Sequence, residues 1–235
     1  MMSGGKSMSK HEGFEDVRIL YDEGGLAAVY KPPGVTVHPD RTGDYSLVEY
    51  LHIHYGGAWY VLHRIDRPVS GVLLMARDRK WTAQYADLFR QHKIEKYYLA
   101  LTRSRPEEET GELRHWLVKN ERMHKAIVVD EGHPRARLAI TRYRVLAASE
   151  HLYLWWLQPL TGRFHQLRAQ LGALSCPIRG DIKYGDKRTN RHVGINLHAF
   201  RLQWAHPTDH RPMQVSADPP PYPEWIAFEK IISAL

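Results

Sequence analysis

The chain has 235 residues, 43% of them hydrophobic and 25% charged, a globular composition that excludes a chain built mainly of disorder. Thirty-three Lys and Arg against 26 Asp and Glu give a net charge of +7, a balance suited to a polyanionic partner. The single cysteine, Cys176, excludes an intramolecular disulfide and a cysteine-built metal cluster, and its setting LSCPI reads as a buried small apolar side chain.

The first fourteen residues, rich in Ser, Gly and Lys, are expected to form a flexible tail ahead of a single domain over 15–235. VRILYDE and LAAVYKP flank DEGG and predict two strands and a turn, and the prolines and glycine of KPPGVTVHPD mark a loop. SLVEYLHIHY predicts a short helix capped by Ser46, and GVLLMAR a buried strand. Between Arg79 and His92 the spacing of Ala83, Ala86, Leu88 and Phe89 predicts a helix lying on the sheet. Strands are expected in EKYYLALTR, LRHWLVK, AIVVD, LAITRYRVLAA and HLYLWWLQPL, which are rich in β-branched and aromatic residues. FHQLRAQLGAL returns to helical spacing, and INLHAFRLQWA and PMQVSA to strand character. PYPEWIAFEKIISAL predicts a closing helix with Trp225, Phe228, Ile231 and Ile232 on one face. Strands outnumber helices without strict βα alternation, which points to an α+β fold on a mixed, largely antiparallel sheet.

Three segments can carry chemistry. Asp66 lies between Arg64 and Arg67 at the entrance to an apolar run; a turn aspartate more often bonds its own backbone, but nearby guanidinium groups keep a carboxylate ionised for work as a nucleophile or base. In PLTGRFHQLRAQL a tight turn at Thr161 and Gly162 precedes a helix start, and Arg163, His165 and Arg168 add reach toward phosphate; a capped surface helix would look alike. In IEKYYLA, Lys96 adjoins Tyr97 and Tyr98, whose side chains must point to opposite faces of a strand, so only one can face a cleft. None of the fifteen histidines falls in a metal-binding spacing, and neither a metal nor a cofactor is expected.

Five segments together, KPPGVTVHP (31–39), HRIDRPVSGVLL (63–74), IEKYYLA (94–100), TGRFHQLRAQL (161–171) and PIRGDIKYGD (177–186), resemble in order and spacing the motifs of the RluA-type RNA pseudouridine synthases. The resemblance runs from about residue 17 onward and implies the pseudouridine synthase catalytic fold without the amino-terminal S4-type domain that many members carry. It makes Asp66 the catalytic aspartate, Tyr98 the active-site tyrosine and Arg168 the arginine paired with the aspartate. It places Arg64 toward RNA; Lys96, Arg163 and His165 are further candidate RNA contacts by their charge and hydrogen-bonding reach. Two positions depart from the usual pattern: Ile65 stands for the commoner leucine, and Gln170, to which no role is given, for a frequent histidine. Asp181 and Asp186 read as turn and capping residues.

Among short members the chain is most similar to those acting on tRNA where the T and acceptor stems meet, through DRPVSGVLLMA, GDIKYGDKRTNR and LHAFRLQWAHP. The alternative substrates are 23S rRNA and the tRNA anticodon arm, and the alternative class is a non-catalytic RNA-binding module. A cytoplasmic monomer is expected, since no apolar run approaches a bilayer span and the start lacks the apolar block of a secretory signal.

Overall fold

Eleven strands join one sheet among residues 13–39 and 43–235, the residues that the computed structural model describes. The hairpin of β1 (Arg18–Glu23) and β2 (Leu26–Lys31) turns on Gly24 and Gly25, both at positive φ, which is the reason for a glycine pair there. Helix α1 (Leu47–Tyr55) starts at a reciprocal cap: Ser46 Oγ accepts the Glu49 amide and the Glu49 carboxylate accepts the Ser46 amide at 2.9 Å. The short β3 (Tyr60–Val61) and then β4 (Ser70–Ala76) lead to α2 (Arg79–Arg90), whose first turn is capped by Asp78.

Beyond α2 come β5 (Glu95–Thr102), β6 (Thr110–Asn120), β7 (Lys125–Val129), β8 (Arg137–Ala148) and β9 (Tyr153–Pro159). They are followed by α3 (Gln166–Ala173), β10 (Leu197–Ala205), β11 (Pro212–Ser216) and two single helical turns, α4 (Pro223–Ile226) and α5 (Glu229–Ile232). The strand order is β1-β2-β4-β10-β5-β9-β8-β6-β7, with β3 beside β4 and β11 beside β10. Only the β4–β10 pairing is parallel, so the sheet is mixed and largely antiparallel, as the strand-rich pattern predicts.

Period-two alternation distributes the core over both faces. In β2 and β4, Ala27, Val29, Leu73 and Met75 pack with Leu47 and Leu51 of α1, while Leu26, Ala28, Val72 and Leu74 pack with Tyr85 of α2 on the opposite face. In β5, Leu99 and Leu101 meet Trp225, Phe228 and Ile232 of the carboxyl-terminal turns. The other face of β5 carries Ala100 and Tyr98 against Leu167 and Leu171 of α3. That second face bears the candidate site.

Three details differ from expectation. The closing helix is broken at Ala227 and Phe228 into α4 and α5; Trp225, Phe228 and Ile232 are buried, whereas Ile231 is 38% exposed because six residues beyond Trp225 fall off that face. Of the expected tail, residues 1–12 lie outside the described residues, and Phe14 is buried, stacked on Tyr50 at 4.9 Å, so order begins before residue 15. The two-residue β3 is too short to leave a pattern of its own.

Candidate active site

The HRIDRP segment is pinned at both ends. His63 Nε2 accepts the Leu74 amide at 2.9 Å and its ring stacks on Phe89, so burial holds it neutral, with its pKa pushed down to about 3. Ile65 is buried in the core beside α3, and the Val69 amide donates to the Asp66 carbonyl to close a tight turn. Alternation between a buried Ile65 and a tethered turn leaves the Asp66 side chain 23% exposed at the edge of a cleft of about 640 Å³.

Helix α3 brings Arg168 to that carboxylate. Arg168 Nη1 donates to Asp66 Oδ2 at 3.1 Å, while its Nε and Nη2 grip the two oxygens of buried Asp181 at 2.7 and 2.9 Å. Burial opposes the guanidinium charge, but the two carboxylates outweigh it and raise its pKa. Asp181 is therefore more than a turn residue: it holds the rotamer of the arginine that holds Asp66. Asp186 does serve its turn, accepting the Gly180 and Lys187 amides.

Tyr98 lines the same cleft, from the face of β5 that carries Ala100. Burial, and then the charge of Asp66, push its phenol well above the usual range, so it is protonated at neutral pH. Tyr97 points the other way, packing on Trp156 and donating to Glu95 at 2.7 Å. Asp66, Tyr98 and Arg168, about a hundred residues apart at the extremes, thus converge.

The expected cationic residues take different places. Arg64 is exposed and lines this cleft together with a second one on the other side of Asp66, which is also lined by His38, His124 and Lys183. Lys96 lies within the first cleft, and burial lowers its pKa. Arg163 is exposed at the rim, its Nε donating to the Leu138 carbonyl at 2.9 Å. His165, expected to reach for RNA from a surface helix, has a largely buried ring, 10% exposed, wedged between Asp66 and Tyr184. Arg67 turns away from the cleft, donating to the Gly34 carbonyl and pairing with Asp44 at 2.7 Å.

Two residues that sequence reasoning passed over support this site. Lys31 is fully buried, and its Nζ donates to the carbonyls of Pro32, Val35 and Arg67 at 2.8, 2.9 and 3.2 Å, tying the KPPG loop to the turn that carries Asp66. Burial lowers its pKa to about 7, with Asp66 opposing. Gln170, given no role, is wholly buried, accepts from Thr141 at 2.7 Å and donates to the carbonyls of Leu113 and Ala139, so it binds α3 to the sheet. A glutamine facing buried strand carbonyls was the one available signal.

Residues 25–173 match the family described as RNA pseudouridylate synthase. The chain is 34% identical over 229 residues to tRNA pseudouridine synthase C of Haemophilus ducreyi, covering 86% of this chain and 90% of the relative. It is 30% identical over 225 residues to ribosomal large subunit pseudouridine synthase C of Vibrio vulnificus, covering 92% of this chain and 69% of the relative. Among solved structures, human RNA Pseudouridylate Synthase Domain Containing 1 aligns with a TM-score of 0.77 at 27% identity, covering 99% of this chain and 97% of that one.

Proposed function

Because the chain belongs to the RNA pseudouridylate synthase family, an isomerase family that converts uridine to pseudouridine in RNA, we propose that Asp66, Tyr98 and Arg168 carry out that conversion in the cleft beside α3. One observation carries the assignment: a partly exposed carboxylate, held by an arginine that is itself locked by a second carboxylate, on the rim of a cleft walled by a partly buried tyrosine.

The reaction breaks the N1–C1′ bond of uridine, turns the uracil, joins C5 to C1′ and moves the C5 proton, with N1 gaining a proton. The nucleotide has to leave its stack, at a cost of a few kcal/mol, and Arg64, Lys96 and Arg163 supply the phosphate contacts that offset it. Arg168 engages Oδ2 of Asp66, and Oδ1 is the oxygen that acts on the nucleoside. Tyr98 offers a ring face to the uracil. Burial, more than the charge of Asp66, keeps its phenol protonated, so it takes up the C5 proton only by passing its own hydroxyl proton toward the uracil N1 that needs one.

The substrate we favour is tRNA, at the uridine where the T and acceptor stems meet. The relative named for tRNA supports this choice, since the chain spans nearly all of its length and a smaller share of the relative named for the ribosomal large subunit. Release of tritium from tRNA labelled at uridine C5 tests both levels. Asp66→Asn removes charge and almost no volume, so release should fall at least about a thousandfold while RNA affinity changes less than about twofold. Substantial release from the variant removes Asp66 from the chemistry, and release from rRNA alone removes tRNA as substrate.

A further inference from the structure

Strand β6 runs on past one of its partners. Its pairing with β8 ends at Leu117 opposite Arg137, whereas its pairing with β7 continues to Asn120, so the sheet has a notch where β8 has not yet begun. The turn closed by the Ala136 amide on the His133 carbonyl brings Arg135 and Arg137 to one side of this notch, and the Gly162–Arg163–Phe164 turn ahead of α3 closes the other. Between them lies a cavity of about 370 Å³, within the range of small-ligand sites.

The lining divides into an apolar floor and a cationic rim. Leu117, Val118 and Ala126 are buried and form the floor. Arg135 and Arg137 are exposed, and neither guanidinium is in a salt bridge among the described residues. The one carboxylate of the lining, Glu121, pairs with Lys119 at 2.8 Å, so Arg135, Arg137 and Arg163 leave the rim with a surplus of positive charge.

The cavity is joined to the candidate active site through two side chains. Arg163 lines both, with its Nε fixed on the Leu138 carbonyl at 2.9 Å and its terminal nitrogens left for a ligand. Phe164 lines this cavity, the cleft of Tyr98 and the cleft on the far side of Asp66. Its half-buried ring is backed by the His165 imidazole at 3.8 Å between centroids. The Lys119 ammonium lies 5.2 Å from the ring centre, at the end of a flexible side chain that an entering base can move aside.

We propose that the notch is a second nucleotide pocket, which receives an unstacked RNA nucleotide near the target uridine: its base lies on Phe164 and the apolar floor, and its phosphates meet Arg135, Arg137 and Arg163. A strand that crosses the Gly162–Arg163–Phe164 turn fills both pockets. Stacking on Phe164 offsets the cost of drawing that base out, and a gap beside the uridine eases its own extraction. The pocket rests on the synthase reading and adds to it a determinant of substrate choice.

Filter binding locates the nucleotide, using tRNA transcripts, or the rRNA fragment if tritium release selects rRNA, with a single abasic residue at successive positions around the candidate uridine. One position should cost the unsubstituted protein on the order of tenfold in affinity. The same position should cost Phe164→Leu little, since that variant keeps apolar bulk for folding but has no flat ring left to lose. Arg135→Gln combined with Arg137→Gln should raise KM more than it lowers kcat, and should flatten the slope of log Kd against log salt by about one per arginine. No position coupled to Phe164 overturns the pocket, and so does an unchanged salt slope in the double variant. Absent tritium release from the unsubstituted protein defeats the synthase reading instead, and leaves the binding comparison standing.

Discussion

Arg168 is one guanidinium shared by two carboxylates, and its geometry ranks them. Asp181 takes two short bonds and is buried, so it fixes the side chain; Asp66 takes one longer bond and keeps part of its surface open. Asp181→Asn removes the fixing charge and leaves a buried cation with a single partner. Stability should drop by about 3 kcal/mol or more, and turnover should fall further than RNA affinity. Urea unfolding with a parallel tritium-release assay checks this; unchanged turnover in a folded variant would show that Asp66 alone orients the arginine. Asp66 was legible because it sits inside a recognisable run between two arginines; strand alternation showed that only one of Tyr97 and Tyr98 could face a cleft, and the family resemblance named Tyr98. Asp181 and Lys31 were not: their partners lie 13 and 36 residues away, and no local pattern records which tertiary neighbour a turn aspartate or a loop lysine will meet.

At the scale of elements, the site depends on one close approach. Gly71, the second residue of β4 just after the Asp66 turn, has φ at +121, and a Cβ there would come within 2.2 Å of the Ala199 carbonyl oxygen on β10. The parallel β4–β10 pairing is possible only with glycine at this position. Gly71→Ala should destabilise by about 2 kcal/mol or more and weaken turnover by displacing the Asp66 turn. Thermal denaturation measures the first effect, and a melting temperature equal to that of the unsubstituted protein would mean that the two strands separate easily. Helix α1 was readable from its cap at Ser46 and α2 from its apolar spacing, and most strands from β-branched and aromatic runs, whereas the Asp78 cap of α2 emerged only with the structure. Strand order was not readable, because a period-two pattern states which face is buried and is silent about the neighbour. The split of the closing helix was hidden for the same reason: the apolar spacing is helical through the break, and packing against Leu99, Leu154 and Phe200 sets where the turn is interrupted.

At the scale of the whole molecule, three buried histidines make stability depend on pH. Burial lowers the pKa of His63, His165 and His198 from 6.5 to about 3, 4 and 4. His198 is further committed to the neutral form, since its Nε2–H donates to the Ala217 carbonyl and its Nδ1 accepts from Ser70, each at 2.8 Å. The unfolded chain takes up these protons as pH falls through 6.5, whereas the folded protein excludes them until about pH 4 and below. The unfolded state binds more protons in that window, so the contribution of these three rings is complete above about pH 6.5 and declines as pH falls toward 4. Urea midpoints between pH 7.5 and 4.5 should drop accordingly, and a flat midpoint would show that these rings titrate as free imidazoles.

The position of β10 has a consequence in time. It lies between β4, which leads directly from Asp66, and β5, which carries Tyr98, yet it is the tenth of the eleven sheet strands along the chain and comes after α3. A nascent chain that has emerged only through α3 already contains Asp66, Tyr98 and Arg168, but the strand that seats the first two side by side has not been made. Until Leu197–Ala205 inserts, β4 and β5 each present an open edge, and the newborn polypeptide holds the side chains proposed to act without the cleft that would let them do so.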